Sequence, residues 1–382
     1  GTTRFKKNDL VQYLESIGVR FGADLIASTS FDETVYILPV PTDKPELLER
    51  AFDILEDWAT GVRFDSADVV GERGVVLGEW RSGLSADKRA QDKEFPLLFQ
   101  GSRYADRLPI GDTAILARAN PAPMQRFYRD WYRPDLMAVV AVGDVPVAKL
   151  EALIRDRFGK IPMPANPRPR VDAPIPEVPG TRVSIVTDPE FGGEQVELLV
   201  RRPSHGPYRT EQDERRALVN AIVSSIAGQR LSDIARRPET SFIGAGMGPM
   251  RLIRDVELFA LSVTPKEGKL TQAFEEVLRE SRRLAQHGVL AAELERTKTS
   301  LLRGREIAAS EQEKQFSGSF VGQYVGAFIN GSVTPSARTR YALAQRILPT
   351  ITKAEIDAVL REQAQGTDRF LSARIPEKAS IP

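Results

Sequence analysis

The sequence of 382 residues predicts an α+β fold made of two tandem modules of similar type, each a mainly antiparallel sheet packed against helices. Amphipathic helical segments alternate with short runs rich in β-branched and aromatic residues in both halves of the chain. Between the halves, residues 160–181 carry prolines at 162, 164, 167, 169, 174, 176 and 179, a density that ordinary helices and central strands do not tolerate. We therefore expect a linker there, with one module over 1–170 and a second over 171–382.

In the first module, apolar residues at helical spacing predict helices over 7–17, 44–59, 123–131 and 147–158. Strand-like runs cover 21–30 and 34–40, joined by a hairpin turn. The continuous apolar run 136–142 predicts a buried central strand. A long polar helix is expected to begin at Ser66 as N-cap, run past Arg81, break around 82–85 and resume towards Phe99.

The second module shows the same alternation of strand-like and helical segments. Strands are predicted over 183–186, 195–200, 242–248, 256–263 and 370–374, and helices over 212–235, 270–286, 292–315, 337–347 and 353–364. Setting residues 64–79 against 289–304 suggests an internal repeat. In this register Thr297 and Gly304 stand opposite Glu72 and Glu79, so the second copy keeps the helix and lacks both carboxylates.

Composition excludes several classes of function. Lys plus Arg is 53 and Asp plus Glu is 52, so nothing indicates a nucleic acid or an anionic membrane as partner. No apolar run approaches the roughly 18 residues of a membrane span. Cysteine is absent, which excludes disulfides and cysteine-based zinc sites and favours a periplasmic over a cytoplasmic location. The two histidines, His205 in a loop and His287 at a helix C-terminus, have no neighbours at metal-ligand spacing.

The most informative stretch is Glu72 to Arg81, which carries Glu72 and Glu79 seven residues apart. On a helix these side chains point to nearly one face, offset by about 20° and separated by roughly 10 Å along the axis. Such a face can hold a cation or take part in acid–base chemistry. Spacing alone favours the alternative, a solvated helix face.

Four segments together resemble the pitrilysin/insulinase family of zinc peptidases. They are Gly1-Thr2 with the helix to Ile17, Ala27 to Thr29 with Thr34 to Tyr36, Glu72 to Glu79, and Phe127 to Pro134 running into Val139 to Asp144. The resemblance implies that Glu79 is the distal zinc ligand and Glu72 a supporting acid. The family's His-x-x-Glu-His motif, which precedes a Gly-Thr of this kind, is absent from these 382 residues.

The resemblance also implies a peptide substrate, bound as an added strand along Leu25, Ile26, Ala27, Ser28 and Thr29. An ordinary core strand is the alternative for this segment. Ile26 departs from the family, which often has Asn at this position.

We therefore expect the N-terminal half of a zinc-dependent endopeptidase, truncated at its start and inactive alone, since one Glu cannot hold a catalytic zinc ion. A C-terminal half or a partner subunit would complete a clamshell. The alternative is a non-catalytic subunit or scaffold of the same fold that binds substrate or a partner.

Overall fold

The computed structural model describes residues 1–18, 26–253 and 256–377. The chain forms two compact units that are interleaved in sequence. Unit 1 comprises Gly1–Gly83, Arg107–Asp172 and Phe316–Ile329, and unit 2 comprises Leu84–Asp106, Ala173–Gln315 and Asn330–Pro382. The predicted modules 1–170 and 171–382 stay a prediction.

The described secondary structure confirms the α+β class. The helices are α1 Lys7–Ser16, α2 Pro45–Thr60, α3 Ser66–Ser82, α4 Ala86–Leu98, α5 Thr113–Leu116, α6 Pro121–Trp131, α7 Val147–Phe158, α8 Glu211–Ala235, α9 Leu270–His287, α10 Ala291–Ser310, α11 Ser317–Ile329, α12 Ala337–Ile347 and α13 Lys353–Gln365. The strands are β1 Ile26–Thr29, β2 Thr34–Ile37, β3 Gly180–Asp188, β4 Gln195–Arg202, β5 Phe242–Ile253, β6 Val256–Pro265 and β7 Asp368–Pro376. No helix within the described ranges has the length and apolar character needed to cross a membrane.

Unit 1 packs helices around a small apolar core and a two-stranded antiparallel sheet, β1–β2. Phe5, Leu14 and Ile54 are buried in that core, which joins α1 to α2. The buried carboxylate of Asp57 on α2 fixes the first residues of the chain. It accepts hydrogen bonds from Thr2 Oγ1 at 2.7 Å, from the Arg4 backbone nitrogen at 2.8 Å and from Arg4 Nη1 at 2.9 Å.

Unit 2 is built on a five-stranded sheet in the order β3-β7-β4-β6-β5. Only the β3–β7 pair is parallel, so the sheet is mainly antiparallel, as predicted. The long helix α8 buries its apolar face in the unit's main core, with Ile222 and Leu231 fully enclosed. Helix α4 is held to the same unit by ion pairs, including Arg89 with Asp188 at the end of β3.

The prediction of a buried central strand over 136–142 is wrong. Residues 137–142 belong to no strand of the described chain, and Ala138 is exposed. An apolar run becomes a strand only where a neighbour completes its backbone hydrogen bonds, and no described strand pairs with this one. Apolar composition alone does not show whether a neighbouring strand is present to pair with this run.

Smaller differences concern helix ends. The predicted N-cap at Ser66 is wrong by one residue: Asp65 occupies the N-cap position, and Ser66 is the first helical residue. The predicted break over 82–85 is confirmed, and Ser85 caps α4 by accepting from the Lys88 backbone nitrogen. Helix α11 was not predicted, because its glycines at 318, 322 and 326 lower helix propensity.

Candidate active site

Helix α3 presents both predicted acids to solvent. Glu72 and Glu79 are exposed, whereas Val69 is the buried residue of this helix. The chain enters α3 after Phe64, which has a φ of 56° and packs edge-on against Tyr128 at 5.3 Å between ring centres. Arg73 fixes another side of the helix by donating from Nε to the Ala119 carbonyl at 2.7 Å. The two glutamates therefore stand on an open face of a helix that is anchored elsewhere.

The first residue of the chain lies beside the same face. The Gly1 amino nitrogen is 2.8 Å from Asp68 Oδ2. At 100° per residue, Asp68, Glu72 and Glu79 fall within about 40° of one another around α3. Thr2 also forms an isolated bridge to Val62, in the segment that leads into α3. The structure thus brings the Gly-Thr segment and the acidic face of α3 together.

The strand pair β1–β2 offers an extended edge. Ile26 pairs with Ile37, and Thr29 pairs with Thr34. Ala27, Ser28 and Thr29 are exposed, a burial pattern unlike that of a core strand. Leu25 lies outside the described residues. In the described chain, β2 is the single strand paired with β1, so the other edge of β1 retains its backbone donors and acceptors.

An aromatic cluster supports β2 and, through it, β1. Tyr36, opposite Ala27 in the strand register, shares a 2.6 Å hydrogen bond with Tyr132 between their hydroxyl oxygens. Tyr128 donates its hydroxyl to the Trp58 carbonyl at 2.7 Å. Burial, followed by the hydrogen bond to Tyr132, raises the pKa of Tyr36, and burial likewise raises the pKa of Tyr128. These phenols stay protonated and act as fixed hydrogen-bonding groups.

No sequence pattern predicts a role for this cluster. Tyr36 and Tyr132 are 96 residues apart, and neither belongs to a recognised catalytic pattern. The signal that could have found them was the family resemblance, since two of its four segments carry these tyrosines, Tyr36 at the end of Thr34 to Tyr36 and Tyr132 within Phe127 to Pro134.

The described residues do not form a complete zinc site. Across 1–18, 26–253 and 256–377, no three His, Asp or Glu side chains are grouped so that they could hold a metal ion. Glu79 is an exposed carboxylate, and its assignment as a zinc ligand stays a prediction. Zinc in a catalytic site requires three protein ligands. His287 ends α9, as predicted. His205 lies in a loop, also as predicted, with its Nδ1 at 3.2 Å from Glu257 Oε2.

Comparisons with known proteins identify the family. The model described as insulinase (peptidase family M16) matches residues 1–93, and the model described as peptidase M16 inactive domain matches residues 118–301. The chain belongs to this family of peptidases, which confirms the resemblance drawn from the sequence.

Two relatives are similar to this chain over nearly its whole length. A zinc protease PQQL-like protein of Arabidopsis thaliana is 30% identical over 99% of this chain and 37% of its own length. The probable zinc protease PqqL of Escherichia coli is 27% identical over 97% of this chain and 40% of its own length. The chain thus spans about two fifths of the curated relatives that it matches.

Solved structures also match this chain over its whole length. The crystal structure of the first half of the periplasmic protease PqqL from Escherichia coli matches 100% of this chain and 82% of that chain. The TM-score is 0.91 at 26% sequence identity. The ferredoxin protease FusC, at 19% identity and a TM-score of 0.80, shares the fold.

Proposed function

We propose that this chain is the N-terminal half of a zinc-dependent endopeptidase that hydrolyses peptides or unfolded polypeptides. The observation that carries the proposal is the acidic face of α3, where Glu72 and Glu79 are exposed on the same side as Asp68, the residue that pairs with Gly1. In the family that the chain belongs to, the zinc-binding histidines precede a Gly-Thr of this kind. A segment entering at Gly1 would reach the face that carries both glutamates.

Each acid has a separate role in this proposal. Glu79 supplies one carboxylate ligand, and the remaining ligands come from a His-x-x-Glu-His outside these 382 residues. Glu72, two helical turns earlier, supports the site electrostatically. Zinc, when bound, supplies a Lewis acid and activates water for attack on a peptide carbonyl. The 382-residue chain alone is then inactive.

By the proposal, the substrate binds along β1 as an added strand. Backbone hydrogen bonds from residues 26–29 give affinity with little dependence on the substrate's sequence. Support comes from the exposure of Ala27 to Thr29 and from the pairing of β1 with β2 along one edge within the described chain. The Tyr36–Tyr132 hydrogen bond keeps this strand pair in place.

The remaining half of the enzyme is proposed to be a C-terminal half or a partner subunit that closes a chamber around the substrate. Support comes from the relatives, of which this chain spans 37–40%. A periplasmic location is supported by the periplasmic protease whose first half it matches and by the lack of cysteine.

A second candidate is a non-catalytic subunit or scaffold that keeps the fold to bind substrate or a partner. One observation favours it: residues 118–301 match the model described as the inactive domain of the family. The coding sequence ahead of Gly1 separates the two candidates. A His-x-x-Glu-His there supports the peptidase, and any other sequence supports the scaffold.

The test of the acids uses the protein extended to include such a motif. We expect Glu79→Gln to lose bound zinc, because an amide is a weaker ligand than a carboxylate. We expect Glu72→Gln to lower peptide turnover more than zinc content. Metal analysis and a peptide-cleavage assay on the same samples measure both, and Glu313→Gln, an exposed acid in unit 2, serves as the control. A Glu72→Gln variant that loses zinc while Glu79→Gln keeps it would reverse the assignment.

A further inference from the structure

We propose that Phe64 is a positioning residue: its left-handed backbone conformation, held by the ring of Tyr128, places the acidic face of α3 relative to the first residues of the chain. Among the residues that the structure describes, Phe64 is the one non-glycine residue with a positive φ, 56°. A bulky side chain rarely adopts this conformation, and residues that do so cluster at functional sites. The link to zinc rests on the proposed function, whereas the geometry of the turn does not.

The segment that leads into this turn is paired with the start of the chain. Thr2 and Val62 form an antiparallel bridge. The Arg63 backbone nitrogen donates to the Gly1 carbonyl at 3.2 Å, and Arg63 Nη2 donates to the Thr3 carbonyl at 3.1 Å. These contacts fix the first residues against the chain just before the turn.

The same first residues are also held from the other side of the turn. Helix α3 begins two residues after Phe64, and the Asp68 carboxylate in its first turn lies 2.8 Å from the Gly1 nitrogen. Both sets of contacts require the chain to change direction between them. A φ near −60°, the ordinary value, would rotate everything after Phe64 by more than about 100° and carry Asp68 away from Gly1.

The ring of Phe64 offsets the cost of this conformation. It packs edge-on against the ring of Tyr128, with the ring centres 5.3 Å apart. Tyr128 is itself held by its hydrogen bond to the Trp58 carbonyl at 2.7 Å. Glycine would take a positive φ without steric cost, but it would leave the backbone free to take other values. A phenylalanine held by its ring confines α3 to one direction.

A small error at this turn would matter at the far end of α3. Arg73 anchors the middle of the helix to Ala119, and Glu79 lies six residues further on, about 9 Å along the axis. A tilt of about 10° around Arg73 would therefore move Glu79 by roughly 1.6 Å. Metal–ligand distances in well-formed sites vary by only about 0.2 Å, so such a tilt would weaken zinc binding through Glu79.

The turn is tested first by a distance measurement on the 382-residue chain. The sequence contains no cysteine, so Lys6→Cys and Ser82→Cys, near the start of the chain and at the end of α3, can be spin-labelled selectively. Double electron–electron resonance should give one narrow distance distribution. Adding Phe64→Ala, which removes the ring and keeps the steric cost, should shift or broaden it by about 2 Å or more, the displacement of Ser82 for a tilt of about 10°.

The zinc affinity of the extended protein is a readout that a purely structural role would not change. Measured by competition with a chelator, well below the unfolding temperature, it should fall roughly tenfold to a hundredfold in Phe64→Ala, the range for residues that orient metal ligands. Phe64→Tyr keeps the ring and should match the wild type in both measurements. Phe64→Gly lacks the ring and the steric cost, and should lie between the two.

Phe127→Ala removes a ring that is 59% exposed on α6 in the same unit, and serves as the matched control in both measurements. Should Phe64→Ala not fold, Phe64→Leu keeps an apolar side chain, lacks the ring contact and should show a smaller shift of the same kind. Wild-type distances in these variants would overturn the proposal, and altered distances with unchanged zinc affinity would overturn the role at the zinc site. An extended wild type that binds no zinc would instead contradict the proposed function, and the distances would still decide the role of Phe64 in placing α3.

Discussion

Replacing Asp57 with alanine tests how the first residues of the chain are held. This carboxylate on α2 is 3% exposed and accepts three hydrogen bonds, from Thr2 Oγ1, the Arg4 backbone nitrogen and Arg4 Nη1. The segment it holds is the one that lies beside the acidic face of α3. Asp57→Ala should therefore destabilise unit 1 and release its first residues.

The magnitude follows from the burial of each partner. The bonds from Thr2 and from the Arg4 backbone are buried or partly buried and involve an ionised acceptor, so each contributes about 1.5 kcal/mol. The Arg4 side chain is 43% exposed and keeps its ion pair with Glu56, so its loss adds only a few tenths of a kcal/mol. The free energy of unfolding of unit 1 should fall by about 3 kcal/mol.

Tryptophan fluorescence reports this change selectively, because all three tryptophans, at positions 58, 80 and 131, belong to unit 1. With a urea dependence of about 2 kcal/mol per molar, the midpoint of unfolding should drop by about 1–2 M. Glu49→Ala removes an exposed acid from the same helix and should change stability by less than about 0.5 kcal/mol. Equal midpoints for Asp57→Ala and Glu49→Ala would show that Asp57 does not hold the first residues of the chain.

Two further predictions concern the aromatic cluster and α4. Tyr36→Phe should lower the free energy of unfolding of unit 1, measured by urea denaturation, by about 1 kcal/mol. Adding Tyr132→Phe should lower it little further, because the hydrogen bond is already lost, and equal additive losses would contradict a direct bond. The Arg89 guanidinium lowers the pKa of Asp188 to about 2. This pair therefore stabilises unit 2 fully at pH values above the ordinary carboxyl pKa, and its contribution is lost as the pH falls from about 4 to about 2. Urea unfolding followed by circular dichroism should show a weaker acid dependence in Asp188→Asn, and an unchanged dependence would contradict the assignment.

Local periodicity was enough to predict most elements of this fold. Helices α7 and α12 have the predicted bounds, because apolar spacing and helix ends depend on residues that are neighbours in the sequence. The same periodicity placed Glu72 and Glu79 on one face of α3. Whether that face is covered or open depends on what packs against it, which spacing cannot reveal.

The pairing of distant segments could not be predicted from the sequence. Strand β7 lies between β3 and β4, and its parallel register with β3 joins residues more than 180 positions apart. The same limit explains the wrong strand over 136–142 and the unrecognised bond between Tyr36 and Tyr132.

The role of Glu79 as a zinc ligand is tested by the zinc content of the extended protein, with the isolated 382-residue chain as the baseline. We expect about one zinc ion per protein when His-x-x-Glu-His is present, close to none in the isolated chain and close to none in the extended Glu79→Gln variant. Full zinc occupancy in that variant, or peptide cleavage by the isolated chain that a chelator abolishes, would contradict it.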